Sequence, residues 1–541
     1  MTKSKIFLIL ILLLAFALRF WKLDSYPALN ADEAAIGYNA YSLIQTGLDE
    51  HGNAWPIHFQ SFNDYKPGLY FYLALPFVKV MGLNEWAVRI PGAFLGVLTV
   101  LLIYLLTHEL FKDKKLSLIS ALFLAISPWH LQFSRGGWEV NTATFFIVLG
   151  TWLFIKFVNG KKGINLILSL LAFSLSMYCY DAARVVVPLL GFGLITIYKR
   201  EVLTKTNLKI ISISLILSLL ALAPLAKDVF SSNVLSRAAG VGLFADKGPI
   251  NRINEQRGEH LNLNSIFASA LHNKLVNFGL AFGQNWAAHY HGEFLFLTGD
   301  SIQRNKVPDM GEMYLTDILF LAAGLMFLAR SLTKSWKFIL WWLIVAPVAA
   351  ALTFQAPHAL RAENMVIPLV IISAFGFSGL ISFLNQKNLK AGIWLLSIIV
   401  IWMFARYEHM YWVHMSKEFP YSSQYGVKEL VTYLAGVQGK YEKVWITDRY
   451  DQPYILFLFY SKYSPIKFQE SHTLTSRDDF GFSTVRDIGK FHFEKVDFDF
   501  LRPNLPGSLI IGTPLEIPKE ANIVKRIYGA NGYEYFDVVG N

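Results

Sequence analysis

Residues 89–115 read RIPGAFLGVLTVLLIYLLTHELFKDKK. An arginine and a proline open the stretch, a largely apolar run follows to residue 111, and Lys112, Lys114 and Lys115 close it. About 20 such residues carry a helix across a bilayer, and lysines in a short loop mark the cytoplasmic end of a span. The same pattern recurs at 6–20, 116–131, 139–158, 164–179, 184–198, 208–226, 313–330, 337–354, 364–384 and 391–406. The expected fold class is therefore an α-helical polytopic membrane protein of about 11 transmembrane helices.

Composition agrees. Of 541 residues, 54% are hydrophobic and only 16% charged, against about a quarter charged in soluble domains. The formal net charge of +10 does not indicate nucleic acid, because the basic residues are scattered through short loops and form no contiguous basic surface. The single cysteine, Cys179, lies in an apolar run and excludes an intramolecular disulfide. The first apolar run is expected to be retained as a helix, since no small-residue cleavage site follows it.

Sidedness comes from the lysines. Lys3 and Lys5, the 112–115 cluster, Lys161 and Lys162 all fall on one side if the spans alternate. So do Lys199, Arg200, Lys205 and Lys209, then Arg330, Lys334 and Lys337, then Lys387 and Lys390. That side, and the N-terminus with it, is read as cytoplasmic in a cell membrane. Residues 1–406 form the expected membrane module, with 21–88 and 227–312 as large outer loops. Within the first loop, 33–46 and 67–82 are expected to be interfacial helices. Residues 407–541 turn from apolar blocks to alternation: a helix over 426–435 and strands at 443–447, 508–511 and 534–539 predict a small extracytoplasmic α/β domain.

Charged groups at outer helix ends run against this bias. Asp32 and Glu33 open the first interfacial helix, Lys66 the second, and Arg89 the second span. Arg135 and Glu139 lie between spans three and four, Asp181 and Arg184 between five and six, and His358, Arg361 and Glu363 between nine and ten. Arginine forks and a lysine can hold a phosphate, and paired carboxylates can take a proton from an attacking hydroxyl. Each group also has a plainer reading. Asp32 and Glu33 can cap a helix, Lys66 can snorkel to the interface, and Arg135/Glu139 and Asp181/Arg184 are at ion-pair spacing on a helix. His289, His291 and Glu293 resemble a metal cluster, but a lone His-x-His is a weak signal. Pocket-shaping is the expectation for these three, with no cofactor required.

The order NADEAAIGYNAY (30–41), DYKP (64–67) and RIPGAFLG (89–96) resembles the first outer loop of the GT-C membrane glycosyltransferases. It is similar to glycosyltransferase family 39, which includes the protein O-mannosyltransferases and aminoarabinose transferases. SRGGWE (134–139), YDAARVVVP (180–188) and PHALRAEN (357–364) extend the likeness over roughly 1–400. The resemblance implies Asp32 as catalytic base or acceptor-orienting carboxylate, Glu33 as its assistant and Lys66 on the donor phosphate. Arg89, Arg184 and Arg361 would be further phosphate contacts. Relatives often have Lys-Pro-Pro where this chain has Lys66-Pro67-Gly68.

The implied activity is transfer of a sugar from a polyprenyl-phosphate carrier to a hydroxyl of an extracytoplasmic lipid, glycan or protein. The alternatives are a transporter or flippase of a lipid-linked anion, and a lipid-linked oligosaccharide polymerase or ligase. No inverted repeat or mid-membrane broken helix pair favours the transporter.

Overall fold

The computed structural model describes residues 3–231, 242–263, 265–330, 332–420, 422, 424–478 and 482–541. Each of the expected spans coincides with helix. Among the described residues, six helices are long and apolar enough by themselves to cross a membrane, including Glu85–Phe111, Glu139–Gly160 and Lys390–Glu418. Lys114–Ala125 and Pro128–Ser134 form a seventh, bent by 57°. Its break falls at Ser127-Pro128, where the ring removes a backbone N–H and drives the preceding residue out of helical geometry. Gly163–Met177, Ala183–Ile197 and Asp317–Ala329 are apolar but shorter.

The chain divides into two compact units. The first comprises residues 1–19, 94–134 and 139–407 and is nearly all helix. Glu139–Gly160 packs on Gly163–Met177, and Val366–Gln386 packs between Asp317–Ala329 and Lys114–Ala125. Polar pairs reinforce these seams: Thr144 donates to Glu363 at 2.8 Å, and Ser373 donates to Asp317. Such bonds matter where no water can substitute. In contrast, only 6% of the apolar window of Lys390–Glu418 is covered by protein, as expected of a helix that faces lipid.

The second unit comprises residues 20–93, 135–138 and 408–541. The expected tail boundary at 406/407 lies beside it, yet the unit also takes in the first outer loop. Its centre is the helix Ala31–Thr46, rich in alanine and buried on nearly every side. Leu69–Met81 and the apolar helix Pro453–Ser461 pack against it. One core joins Ile36, Tyr38 and Phe71 of the loop to Tyr454, Phe459 and Phe468 of the tail. Fully burying side chains of this size contributes roughly 1.5–3 kcal/mol each.

A six-stranded mixed sheet backs this core. Val444–Ile446 pairs in parallel with Phe491–Phe493 and Leu509–Gly512, and Glu534–Gly540 runs antiparallel to Leu509–Gly512 and to the edge strand Ile523–Tyr528. Asp487–Ile488 closes the other edge. The three strands expected from alternation are present; the short edge strands and the helix Pro453–Ser461 were not anticipated.

Glu50, just beyond the central helix, has a fully buried carboxyl whose two oxygens have no hydrogen-bond partner. Burial pushes this carboxyl up to about 8, with Asp49 adding to the rise. The folded protein therefore holds a proton that the unfolded chain releases near pH 4.5, so stability falls as pH rises towards 8. His51 is held down to about 3 by burial and is neutral in both states above pH 6.5. Between pH 6.5 and 8 the wild type should lose about 2 kcal/mol, and Glu50→Gln should flatten this slope in thermal melts. An unchanged slope in the variant would remove the neutral carboxyl from the account.

Candidate active site

Asn30 caps the helix Ala31–Thr46 from extended backbone. Its side chain accepts from the Glu33 N–H at 3.0 Å, and the Glu33 carboxylate accepts from the Asn30 N–H at 3.2 Å. This reciprocal box fixes the first turn. Glu33 then receives a fork from Arg89: Nε to Oε1 and Nη2 to Oε2, both at 2.7 Å. The Gly137 N–H adds a bond at 2.8 Å. A Cβ at Gly137 would stand 3.3 Å from Glu33 Cγ and 3.0 Å from Val88, so glycine permits this close approach.

Arg89 is fully buried. Its remaining N–H groups go to the carbonyls of Leu23, Pro27 and Ala28 at 2.9, 2.9 and 3.3 Å. All five donors are thus spent on Glu33 and on the chain leading into the helix. The geometry gives Arg89 a positioning role and leaves it no donor for a phosphate.

Asp32, the neighbouring acid, is different. Its side chain is more open than that of Glu33, and Lys66 Nζ donates to its Oδ1. Lys66 sits on Asp64–Pro67, which pairs antiparallel with His58–Ser61 so that Lys66 lies opposite Phe59. Its ammonium stands 5.1 Å from the Phe62 ring centroid. The departure from Lys-Pro-Pro now has a reason. The Gly68 N–H donates to Ile57 O at 2.9 Å, and a Cβ there would lie 2.7 Å from that same oxygen. Proline would lose the bond and meet the carbonyl.

Arg135 belongs to the same unit. Its Nε donates to the Tyr411 hydroxyl at 2.9 Å and its Nη2 to Trp21 O at 2.8 Å, while the guanidinium lies 4.8 Å from the Trp412 ring. Gln424, which sequence reading passed over, accepts from the Ala31 N–H at 2.6 Å and donates to Asp451 O. Its backbone is left-handed, with φ of 51°, a conformation that non-glycine residues adopt only when held. The glycine pair before Trp138 was a visible signal; Gln424, hundreds of residues along the chain, carried none.

The other expected residues lie in the first unit. Asp181 and Arg184 form an ion pair at 2.6 Å. Arg361 donates to Thr353 Oγ1 at 2.7 Å, and Glu139 starts its own helix. His289 ends the helix Lys274–Ala288, and Glu293 begins a further helical turn. The two ring nitrogens of His289 engage Asn285 O at 2.8 Å and the His358 N–H at 3.1 Å. Among the described residues no group of three or more His, Cys, Asp or Glu side chains could hold a metal ion.

Residues 65–226 match the family model described as dolichyl-phosphate-mannose-protein mannosyltransferase. The whole chain superposes on solved membrane glycosyltransferases. The fold is that of a GT-C membrane glycosyltransferase. The structure of ArnT from Cupriavidus metallidurans bound to undecaprenyl phosphate is 11% identical, with a TM-score of 0.53 over 98% of this chain and 97% of that one. The apo oligosaccharyltransferase of Archaeoglobus fulgidus is 14% identical, with a TM-score of 0.53 over 94% of this chain and 69% of its own. An uncharacterized protein of Aquifex aeolicus (strain VF5) is 27% identical over 180 residues, which is 33% of this chain and 35% of that protein. The GT-C likeness read from the first outer loop thus agrees with both the family match and the fold.

Removing one partner of a buried ion pair costs about 3–5 kcal/mol, whereas replacing both by apolar groups can be neutral. Glu33→Gln and Arg89→Met should therefore each lower the melting temperature of the purified protein sharply. Glu33→Leu combined with Arg89→Met should recover part of that loss. Gly68→Pro should destabilise the Lys66 hairpin; wild-type thermal stability in this variant would contradict the crowding at Ile57.

Proposed function

We propose that this GT-C protein transfers a sugar from a polyprenyl-phosphate carrier to an acceptor hydroxyl at the extracytoplasmic side of a cell membrane. The observation that carries the reading is the contrast between two adjacent acids. Glu33 is buried and locked by Arg89, Asn30 and Gly137, whereas the Asp32 side chain is more exposed and receives Lys66 at Oδ1. The ArnT structure named above holds undecaprenyl phosphate, and a further structure of the archaeal oligosaccharyltransferase holds a dolichol-phosphate; these support a lipid-phosphate donor. The lysine-rich loops support the orientation.

In the proposed step the acceptor oxygen bonds to the anomeric carbon while the bond from that carbon to the phosphate oxygen breaks. The acceptor proton passes to Asp32, and the bonding pair leaves with the phosphate. The carrier changes from a phosphodiester of charge −1 to a monoester approaching −2. Lys66 meets that growing charge, and its release from Asp32 is balanced as Asp32 takes the proton. Attack from the face opposite the phosphate gives inversion. Arg184 and Arg361 are retained as phosphate contacts on their own unit, with Arg135, Glu139, Asp181, His289, His291, Glu293 and His358 shaping pockets.

One preorganised donor is worth about 3 kcal/mol in a transition state, on the order of 100-fold in rate. Lys66→Ala should lower kcat by about that factor. Asp32→Asn should abolish transfer while leaving donor affinity within a few-fold. The assay follows release of free polyprenyl phosphate from a labelled polyprenyl-phosphate sugar. Wild-type turnover by Asp32→Asn would refute the base assignment, and vectorial movement of the lipid without cleavage would favour a transporter.

A further inference from the structure

Residues 227–312 read as an outer loop in the sequence, yet part of this stretch is folded inside out for water. Between Glu259 and Glu293 the only Asp, Glu, Lys or Arg is Lys274, whereas about a quarter of residues in soluble domains are charged. The segment contains the helices Ile266–Leu271 and Lys274–Ala288. On the longer one Leu275 is 86% exposed and Leu280 60%, while Asn277 is only 7% exposed. Gly279, Gly283 and Ala287 continue the exposed stripe at helical spacing. Among the described residues, nothing stands within 4 Å of a Cβ built at either glycine. Ile266 and Phe267, at 86% and 77%, show the same apolar exposure on the shorter helix. A helix in water turns such a stripe inward and its asparagines outward.

The surroundings of the longer helix identify its solvent. Just past its end, the Tyr290 hydroxyl donates to Leu343 O at 2.7 Å, and Trp286 Nε1 donates to Ile344 O at 2.9 Å. Asn285 donates to Thr353 O at 2.9 Å. Leu343 and Ile344 belong to the membrane-length segment Lys334–Ala351, which lies in the same unit. Pro347 has no N–H to give the carbonyl four residues before it, which is Leu343 O, and the Tyr290 hydroxyl takes that place. At 1.5 Å per residue Leu343 lies about 12 Å inside the Ala351 end, near the middle of the span. A carbonyl left bare at that depth is costly, so the tyrosine has a reason to be there. The end of the helix Lys274–Ala288 is thus tied along one half of a membrane span, where hydrocarbon replaces water.

We infer that residues 266–288 form a re-entrant element of the membrane module, with Phe267, Leu275 and Leu280 seated against the acyl chains of the bilayer. Lys274, at the start of its helix, has a stem long enough to carry its ammonium to the headgroups. Tyr290 and Trp286 tether the element to the span, and the uncharged stripe faces outward because its solvent is lipid. This inference concerns the membrane module alone and does not rest on the transferase reading.

The test uses the full chain in lipid nanodiscs, with the buried Cys179 replaced by alanine and single nitroxides attached through Phe267→Cys, Leu275→Cys and Leu280→Cys. Ile398→Cys, exposed on the lipid-facing helix Lys390–Glu418, and Lys519→Cys, exposed on the tail, supply the lipid and water references. Power-saturation EPR compares collisions with oxygen, which concentrates among acyl chains, and with a nickel chelate, which stays in water. The oxygen-to-nickel ratio at all three positions should match that at residue 398 and exceed that at residue 519 several-fold. Each variant should melt with the Cys179→Ala parent; a position that does not is replaced by Val276→Cys or Ala287→Cys on the same helix. A ratio like that of residue 519 would place the element in water and overturn the inference. Exclusion of both reagents would overturn it too: with dipolar broadening between labels the cover is a second copy of the chain, and without it another part of the same chain.

Discussion

The buried fork between Arg89 and Glu33 is the constraint on which the second unit depends. Arg89 belongs to the first turns of a membrane-length helix, and Glu33 to the first turn of the central helix. Two charges out of water are tolerated only when hydrogen bonds use their capacity fully. Here three carbonyls of the chain between residues 23 and 28 complete the guanidinium, and Asn30 and Gly137 complete the carboxylate. The loop entering the helix therefore has little freedom. Asp32, between the cap and Glu33, inherits a fixed position from them, with Lys66 on its carboxylate.

This arrangement separates two adjacent acids. Glu33 is buried and takes hydrogen bonds from Asn30, Arg89 and Gly137, so it supports the architecture. Asp32 is more exposed and accepts from Lys66, an ammonium on a flexible stem. In the proposed function it is this second acid that meets the acceptor, on an element already fixed by the first.

Much of this was legible in the sequence, and the rest was not for identifiable reasons. Apolar runs located the long helices because a bilayer sets their length. Asp32, Glu33 and Lys66 stood out through motif order. The partner of Arg89 did not: a sequence places an arginine at a helix end without saying whether its fork meets a phosphate or an internal glutamate. His289 ends a helix and its ring engages Asn285 O and the His358 N–H, a local ending that a His-x-His spacing does not reveal. The helix Pro453–Ser461 was missed because a short run buried all round carries no period. Gln424 was invisible because its contacts are long-range.

The core shared by the first outer loop and the tail has a consequence for biogenesis. Residues such as Tyr38 and Phe71 are synthesised several hundred residues before their partners Tyr454 and Phe459. That separation is on the order of tens of seconds at roughly 5–20 residues per second. Through that interval the apolar faces of Ala31–Thr46 and Leu69–Met81 lack the surface that covers them in the folded unit. The core of this unit therefore closes only after residues 454–468 have been made.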